Sequence, residues 1–85
     1  MTYEVRYDPK AEKQLEKLPK DVAARIVRKL GEVAQTGRGI ESINDKEYGH
    51  KIRVGDYRAI VDVERNPDII WVRVVGHRST IYKRI

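Results

Sequence analysis

His50-Lys51-Ile52-Arg53-Val54-Gly55-Asp56-Tyr57-Arg58-Ala59-Ile60-Val61 reads as a tight β-hairpin, and the rest of the chain can be laid out from it. Val54-Gly55-Asp56-Tyr57 is the turn, with Gly55 at the first central position, where a type II′ turn needs positive φ. A two-residue loop sets the register. Val54 then faces Tyr57, Arg53 faces Arg58, Ile52 faces Ala59 and Lys51 faces Ile60. Side chains alternate across a strand, so Ile52, Val54, Tyr57, Ala59 and Val61 share one face. Lys51, Arg53 and Arg58 share the other. Like charges directly opposite each other destabilise a strand pair, so stability alone does not select Arg53 against Arg58. Two readings stay open: an anion gripped by both guanidinium forks, or a solvated basic face whose arginines splay apart.

Working outward, Thr2-Tyr3-Glu4-Val5-Arg6-Tyr7 alternates and predicts a first strand with Tyr3, Val5 and Tyr7 inward. Asp8-Pro9 is a helix start, with Asp8 as cap and Pro9 at the first helical position. Ala11, Leu15 and Leu18 then recur at helical spacing. Pro19 separates this helix from a longer one. Asp21 favours the positive end of the second helix dipole. Val22, Ile26, Leu30 and Val33 form its apolar stripe, supported by Ala23, Val27 and Ala34. Gly37 and Gly39 stop it. Arg25, Arg28 and Lys29 sit on its polar side.

Residues 38–46 read as a loop. After the hairpin, Arg65-Asn66-Pro67-Asp68 is a turn by composition. Ile69 to Val75 is the most apolar strand. A four-residue turn would set Val63 against Ile70, Val61 against Val72 and Ala59 against Val74, which keeps one apolar face across three strands. The opposite face then collects Lys51, Arg53, Arg58, Ile60, Asp62, Trp71, Arg73 and Val75. Trp71 there either stacks on a base or packs against a neighbouring segment, and packing is the commoner fate. Gly76 lets the strand end sharply, and Gly76-His77-Arg78-Ser79-Thr80-Ile81-Tyr82 leads a short tail back toward the basic face.

The expected fold is α+β in a single domain over residues 1–85: an N-terminal strand, an antiparallel helical hairpin, then a three-stranded antiparallel meander. The helices cover one face of a four-stranded sheet, and a short C-terminal tail follows. A chain of 85 residues supports one modest core. The formal charge of +5 calls for an acidic partner such as nucleic acid or an acidic protein segment. The absence of cysteine excludes disulfides and Cys-based zinc sites. Two histidines, His50 and His77, are far apart in sequence and make a poor case for a metal. No apolar run has membrane-spanning length and no signal-peptide pattern is present, so the expectation is a cytoplasmic protein without a membrane partner.

Three segments together resemble a family: Lys51-Ile52-Arg53, then Gly55-Asp56-Tyr57-Arg58, then Gly76-His77-Arg78 with Tyr82 soon after. This pattern, over nearly the whole chain, is similar to the RelE/ParE superfamily of bacterial and archaeal toxins, on the RelE side. The resemblance implies a ribosome-dependent endoribonuclease that cuts messenger RNA and uses no metal or other cofactor. The 2′-hydroxyl attacks the adjacent phosphate, leaving a 2′,3′-cyclic phosphate and a free 5′-hydroxyl. The family's active positions fall on Lys51, Arg53, Arg58, Arg78 and Tyr82, with a histidine at His77. Lys51, Arg53, Arg73, Lys83 and Arg84 are the expected RNA-binding residues. A RelB-like antitoxin, acidic and partly disordered, is the implied protein partner, beside the ribosome and its mRNA.

The chemistry assigns roles. The 2′-hydroxyl must lose a proton, the phosphorane must be stabilised, and the leaving 5′-oxygen must gain a proton. Arg53 and Arg58 suit the phosphorane; their bland alternative is a salt bridge to Asp62 or Glu64. Arg53 stands where relatives often carry lysine. Arginine keeps its proton, so it clamps rather than acts as a base. Lys51 serves as base or phosphate holder. His77 is the natural acid or base, or else a strand-end histidine satisfied by the backbone. Arg78 steadies the phosphate or leaving group. Tyr82 orients the nucleophile, stacks on a base, or packs. His50 reads as structural. Two other functions stay open: a ParE-like toxin that poisons DNA gyrase, and a non-catalytic module that binds through the same basic face.

Overall fold

The computed structural model describes residues 2–43 and 48–83. Strand β1 (Glu4–Tyr7) leads into helices α1 (Pro9–Glu16) and α2 (Lys20–Thr36). Strands β2 (Ile40–Ser42), β3 (His50–Val54), β4 (Tyr57–Glu64) and β5 (Ile69–His77) follow, and a 3-10 turn closes the described chain at Ile81–Lys83. The class is α+β as expected, but the sheet has five strands in the order β1-β5-β4-β3-β2. β1 runs parallel to β5, and the other neighbours are antiparallel. The added strand, β2, lies in the stretch expected as loop. Its three residues are too few for alternation to show. It pairs antiparallel with β3, Ile40 opposite Ile52 and Ser42 opposite His50.

Local chemistry explains the helices. Pro9 opens α1 and the Asp8 carbonyl accepts the Glu12 N–H at 3.0 Å. The Asp8 carboxylate makes no cap bond; it is committed to Arg73, described below. Pro19 stands at the start of α2, and Gly37 ends that helix in the left-handed region, its N–H bonded to the Val33 carbonyl at 2.7 Å. Ile26, Leu30, Val33 and Ala34 are buried. Val27, expected to support the stripe, is 46% exposed; at 100° per residue it falls about 105° from the stripe's centre.

The hairpin register is the expected one, from His50↔Val61 through Arg53↔Arg58 to Val54↔Tyr57. Gly55 has φ +59°. The Asn66 turn also holds, with positive φ at Asn66 and a cis peptide bond before Pro67. The β4–β5 register slips partway. Val63↔Ile70 and Val61↔Val72 agree with expectation, but Ile60 pairs with Val74 and Ala59 with Val75, not Val74. Arg73 is the extra residue of a β-bulge. Beyond it, Val75 turns to the helix-covered core and Val74 to the open face, the reverse of the expected assignment.

Two clusters result. The main core sets Ala11, Ile26, Leu30 and Val33 against Ile52, Val54, Ala59, Val61, Ile70, Val72 and Val75. The smaller one lies on the other face, where Ile81 of the tail packs on Ile60 and Val74, with Ile43 and Tyr48 beside them. Gly76 does not end the strand as expected. It pairs with Arg58 inside β5, and a Cβ there would meet Ile81 only at an ordinary contact distance of 3.7 Å.

Ile81→Ala should remove the tail's only fully buried anchor among the described residues. We expect a loss of about 2–5 kcal/mol in urea unfolding, against under about 0.5 kcal/mol for the exposed Val27→Ala. Burial also pushes the Tyr7 phenol pKa above its ordinary 10.0. The unfolded chain therefore gives up this proton first. The contribution is full below pH 10 and is lost as pH rises through the higher folded value. Unfolding midpoints at about pH 9 and about pH 11 should diverge less in Tyr7→Phe than in wild type. Equal divergence would rule out this origin for alkaline loss.

Candidate functional site

The hairpin end of the sheet gathers most of the expected site. Arg53 and Arg58 are direct cross-strand partners, and they splay. Arg58 Nη1 folds back to donate to the Gly55 and Tyr57 carbonyls, both at 2.7 Å. Arg53 Nε lies 3.2 Å from Glu41 Oε2 of β2, an exposed pair with little net worth. Asp62, the alternative partner considered for the arginines, is taken by Arg73. The basic strip is therefore held open by separate acceptors.

The tail returns to this end. The Arg78 N–H donates to the Asp56 carbonyl at 2.8 Å. Its guanidinium lies 3.6 Å from the Asp56 carboxylate, both side chains being well exposed. The Thr80 N–H and hydroxyl both bond the His77 carbonyl and tighten the turn. Ile81 is then buried, while Tyr82 stays 44% exposed. The Lys51 ammonium sits 5.5 Å from the centre of the Tyr82 ring, a cation–π contact. Lys51, Arg53, Arg58, Arg78 and Tyr82 thus share one end of the sheet.

His77 stands apart from that strip. The bulge pairs it with Tyr57, and their rings meet edge to face at 5.3 Å. It lines a cleft with Gln14, Lys17 and Leu18 of the α1 segment. The Ser79 N–H donates to His77 Nδ1 at 3.1 Å, and the Ser79 hydroxyl lies 2.7 Å from the same nitrogen. Lys83 is exposed beside Tyr82. Arg84 lies outside the described residues.

Arg73 has a different setting from the one expected of an RNA contact. Its Nη1 meets both Asp8 oxygens, at 2.8 and 3.1 Å, and its Nε meets Asp62 at 2.9 Å. Desolvation lowers its pKa, but the bonds to Asp62 and Asp8 outweigh that and raise it above the ordinary value. Its charge is answered within the fold. Trp71 packs between Arg6 and Arg73, whose guanidinium carbons lie 5.6 and 5.1 Å from its ring centre. Those two side chains flank the ring. Sequence reasoning also passed over Asp56, which holds Arg78 by backbone and side chain. Its place at the second central turn position was the available signal. Among the described residues no three His, Asp or Glu side chains come together to hold a metal.

Comparison with known proteins now bears on this geometry. The family model of the ParE toxin of type II toxin–antitoxin systems matches residues 5–82. The RelBE2 toxin–antitoxin complex from Mycobacterium tuberculosis superposes with a TM-score of 0.81 at 23% identity, covering 93% of this chain and 94% of that one. Escherichia coli toxin RelE in the free state, carrying two arginine-to-alanine changes, gives 0.75 at 27% identity, over 100% and 99%. The archaeal RelE–RelB complex from Pyrococcus horikoshii gives 0.74 at 22% identity, over 92% and 97%. No curated protein matches by sequence. The chain belongs to this toxin family of type II toxin–antitoxin systems, within the RelE/ParE superfamily, and it is built like the RelE toxins.

Arg73→Ala should leave two carboxylates facing each other without their shared cation. With the three side chains about 30% exposed, we expect a loss of about 1–3 kcal/mol in urea unfolding. Arg53→Ala, whose partner is exposed, should change stability by under about 0.5 kcal/mol. Equal effects would contradict the structural assignment of Arg73.

Proposed function

We propose that this toxin is a ribosome-dependent endoribonuclease that cuts messenger RNA and so inhibits translation. The observation that carries the reading is the convergence of Lys51, Arg53, Arg58, Arg78 and Tyr82 on the hairpin end. The 2′-oxygen gives its proton to a base and bonds to the adjacent phosphorus. The bond to the 5′-oxygen breaks and that oxygen takes up a proton. The products are a 2′,3′-cyclic phosphate and a 5′-hydroxyl.

Arg53 and Arg58 would turn from Glu41 and the turn carbonyls to donate to the non-bridging oxygens, where charge develops. Arg78, tethered to Asp56, steadies the leaving side. Tyr82 offers a half-exposed ring on which a base can stack, with Lys51 over it to hold phosphate or take the proton. His77, on the Tyr57 side of the sheet and apart from the strip, is given no step in this scheme. RNA contacts extend from Lys51 and Arg53 to Lys83 and Arg84; Arg73, already paired twice, is left out. No cofactor enters the scheme. A domain of 85 residues with an open basic face has little means to orient a flexible strand, and orientation contributes several kcal/mol to such a step. The ribosome supplies that orientation.

The protein partner is a RelB-like antitoxin. The solved neighbours include complexes of RelE with RelB, and a chain of net charge +5 draws an acidic, partly disordered segment. The same reading places the toxin in the cytoplasm, and no helix among the described residues is long and apolar enough to cross a membrane. One observation favours a second reading, inhibition of DNA gyrase: the matching family model is that of the ParE toxin.

Primer extension in a purified translation system tests the proposal. Wild type should cut message only when ribosomes are present. Arg58→Ala and Arg78→Ala should each lower the rate by about 10²-fold. Arg58→Lys should also fail, since lysine lacks the fork; full activity there would reduce the arginine to bulk charge. Cutting of free RNA at the ribosomal rate would refute the reading. No cutting, with loss of gyrase supercoiling, would select the second.

A further inference from the structure

A second basic feature lies on the helix side of the hairpin tip. Arg25, Arg28 and Lys29 of α2 line a cleft of about 290 Å³ whose other wall is Arg53, Val54 and Gly55. Positions 25, 28, 29 and 32 follow the three- and four-residue spacing of a single helix face, so the three cations point the same way. Arg25 lies over the turn so closely that a Cβ at Gly55 would run into its guanidinium. The Arg25 tip could swing aside, so it is the φ of +59° that favours glycine at this turn.

Stability does not account for this arrangement. Like charges three and four residues apart repel on a helix. Among the described residues, none of Arg25, Arg28 and Lys29 has a hydrogen-bond or ion-pair partner. Glu32 lines the same cleft and pairs with none of them. By contrast, Arg6, Arg53, Arg73 and Arg78 each meet a carboxylate. Other surface cations also lack a carboxylate partner, but here three of them line one concave place beside Arg53.

We propose that this cleft holds the phosphate backbone of a folded RNA segment, separate from the strand that is cut. The inference rests on the reading of the chain as an RNA-cutting toxin. Three features favour phosphodiester over carboxylate. Two of the three unpaired cations are arginines, whose fork fits phosphate oxygens. Cations about 5–6 Å apart along a helix suit a polymer that carries a charge at every unit. Arg53 belongs both to this wall and to the basic strip of the candidate site, so one RNA-bearing surface would be continuous around the hairpin tip. The cleft would then anchor the toxin while Lys51, Arg58, Arg78 and Tyr82 act on the other face.

The test uses the full chain and a labelled duplex RNA hairpin, with binding read by anisotropy over a range of salt. The triple variant Arg25→Ala, Arg28→Ala, Lys29→Ala should weaken binding about tenfold at low salt. It should flatten the slope of log K against log salt by about 2 to 3. Glu32→Gln, which leaves all the cations in place, should tighten binding and guards against a folding defect in the triple variant. An unchanged slope in the triple variant overturns the proposal. So does RNA binding at wild-type strength combined with lost affinity for a poly-glutamate peptide, which would assign the cleft to an acidic chain. If wild type binds with the expected slope and the triple variant does not, yet no message is cut on ribosomes, the cleft stands and the nuclease reading falls.

Discussion

One extra residue in β5 governs much of this molecule. The bulge at Arg73 lets two consecutive side chains, Arg73 and Val74, face the open side of the sheet. Arg73 then reaches Asp62 on the neighbouring strand and Asp8 at the head of α1. Val74 joins Ile60 in an apolar floor on which Ile81 sits. A regular ladder would have sent Val74 to the helix side and left Ile81 without that floor. The same slip turns His77 toward Tyr57. The tail's course, and with it the positions of Arg78 and Tyr82, therefore follows from a local irregularity in pairing.

The two faces of the sheet are held by different means. The helix side is a continuous apolar core, with Ile26, Leu30 and Val33 against the inner residues of β3, β4 and β5. The open side has a small apolar cluster flanked by charge. Its order comes from Ile81 burial and from the cation of Arg73 shared by two carboxylates, a cation–π neighbour of Trp71. This division leaves the basic side chains of the hairpin end outside both apolar clusters. Arg58 turns to the turn carbonyls, Arg53 to Glu41 and Arg78 to Asp56. The arginines are thereby kept apart without being buried, and exposed pairs of this kind yield readily to a stronger anion.

Much of the fold was legible in the chain because its signals are local. Asp8-Pro9 and Gly37 mark helix boundaries through backbone constraints that neighbours do not alter. Val54-Gly55-Asp56-Tyr57 sets the hairpin register through a two-residue turn, so the opposition of Arg53 and Arg58 follows by counting. The strip of Lys51, Arg53 and Arg58 was legible for the same reason. Strand β2 was not, since three residues carry no usable period and its partner lies in β3. Val27 was misjudged because it sits at the margin of an apolar stripe, where geometry decides burial.

The sequence by itself determined the two helices, the hairpin and its register, and the basic strip, because each rests on short-range backbone geometry or strict alternation. Only the tertiary structure decided which cations are free. Arg73 looked like one basic residue among many until the bulge brought it between Asp8, 65 positions away, and Asp62, 11 positions away. The bulge itself was hidden because Val74 and Val75 are alike, and a one-residue slip between identical side chains leaves no trace in the pattern. Arg25, Arg28 and Lys29 read as an ordinary solvated helix face until the fold set the hairpin tip beside them as the other wall of a cleft. Charge is written in the chain, but whether it is neutralised depends on contacts between distant elements, and those exist only once the chain is folded.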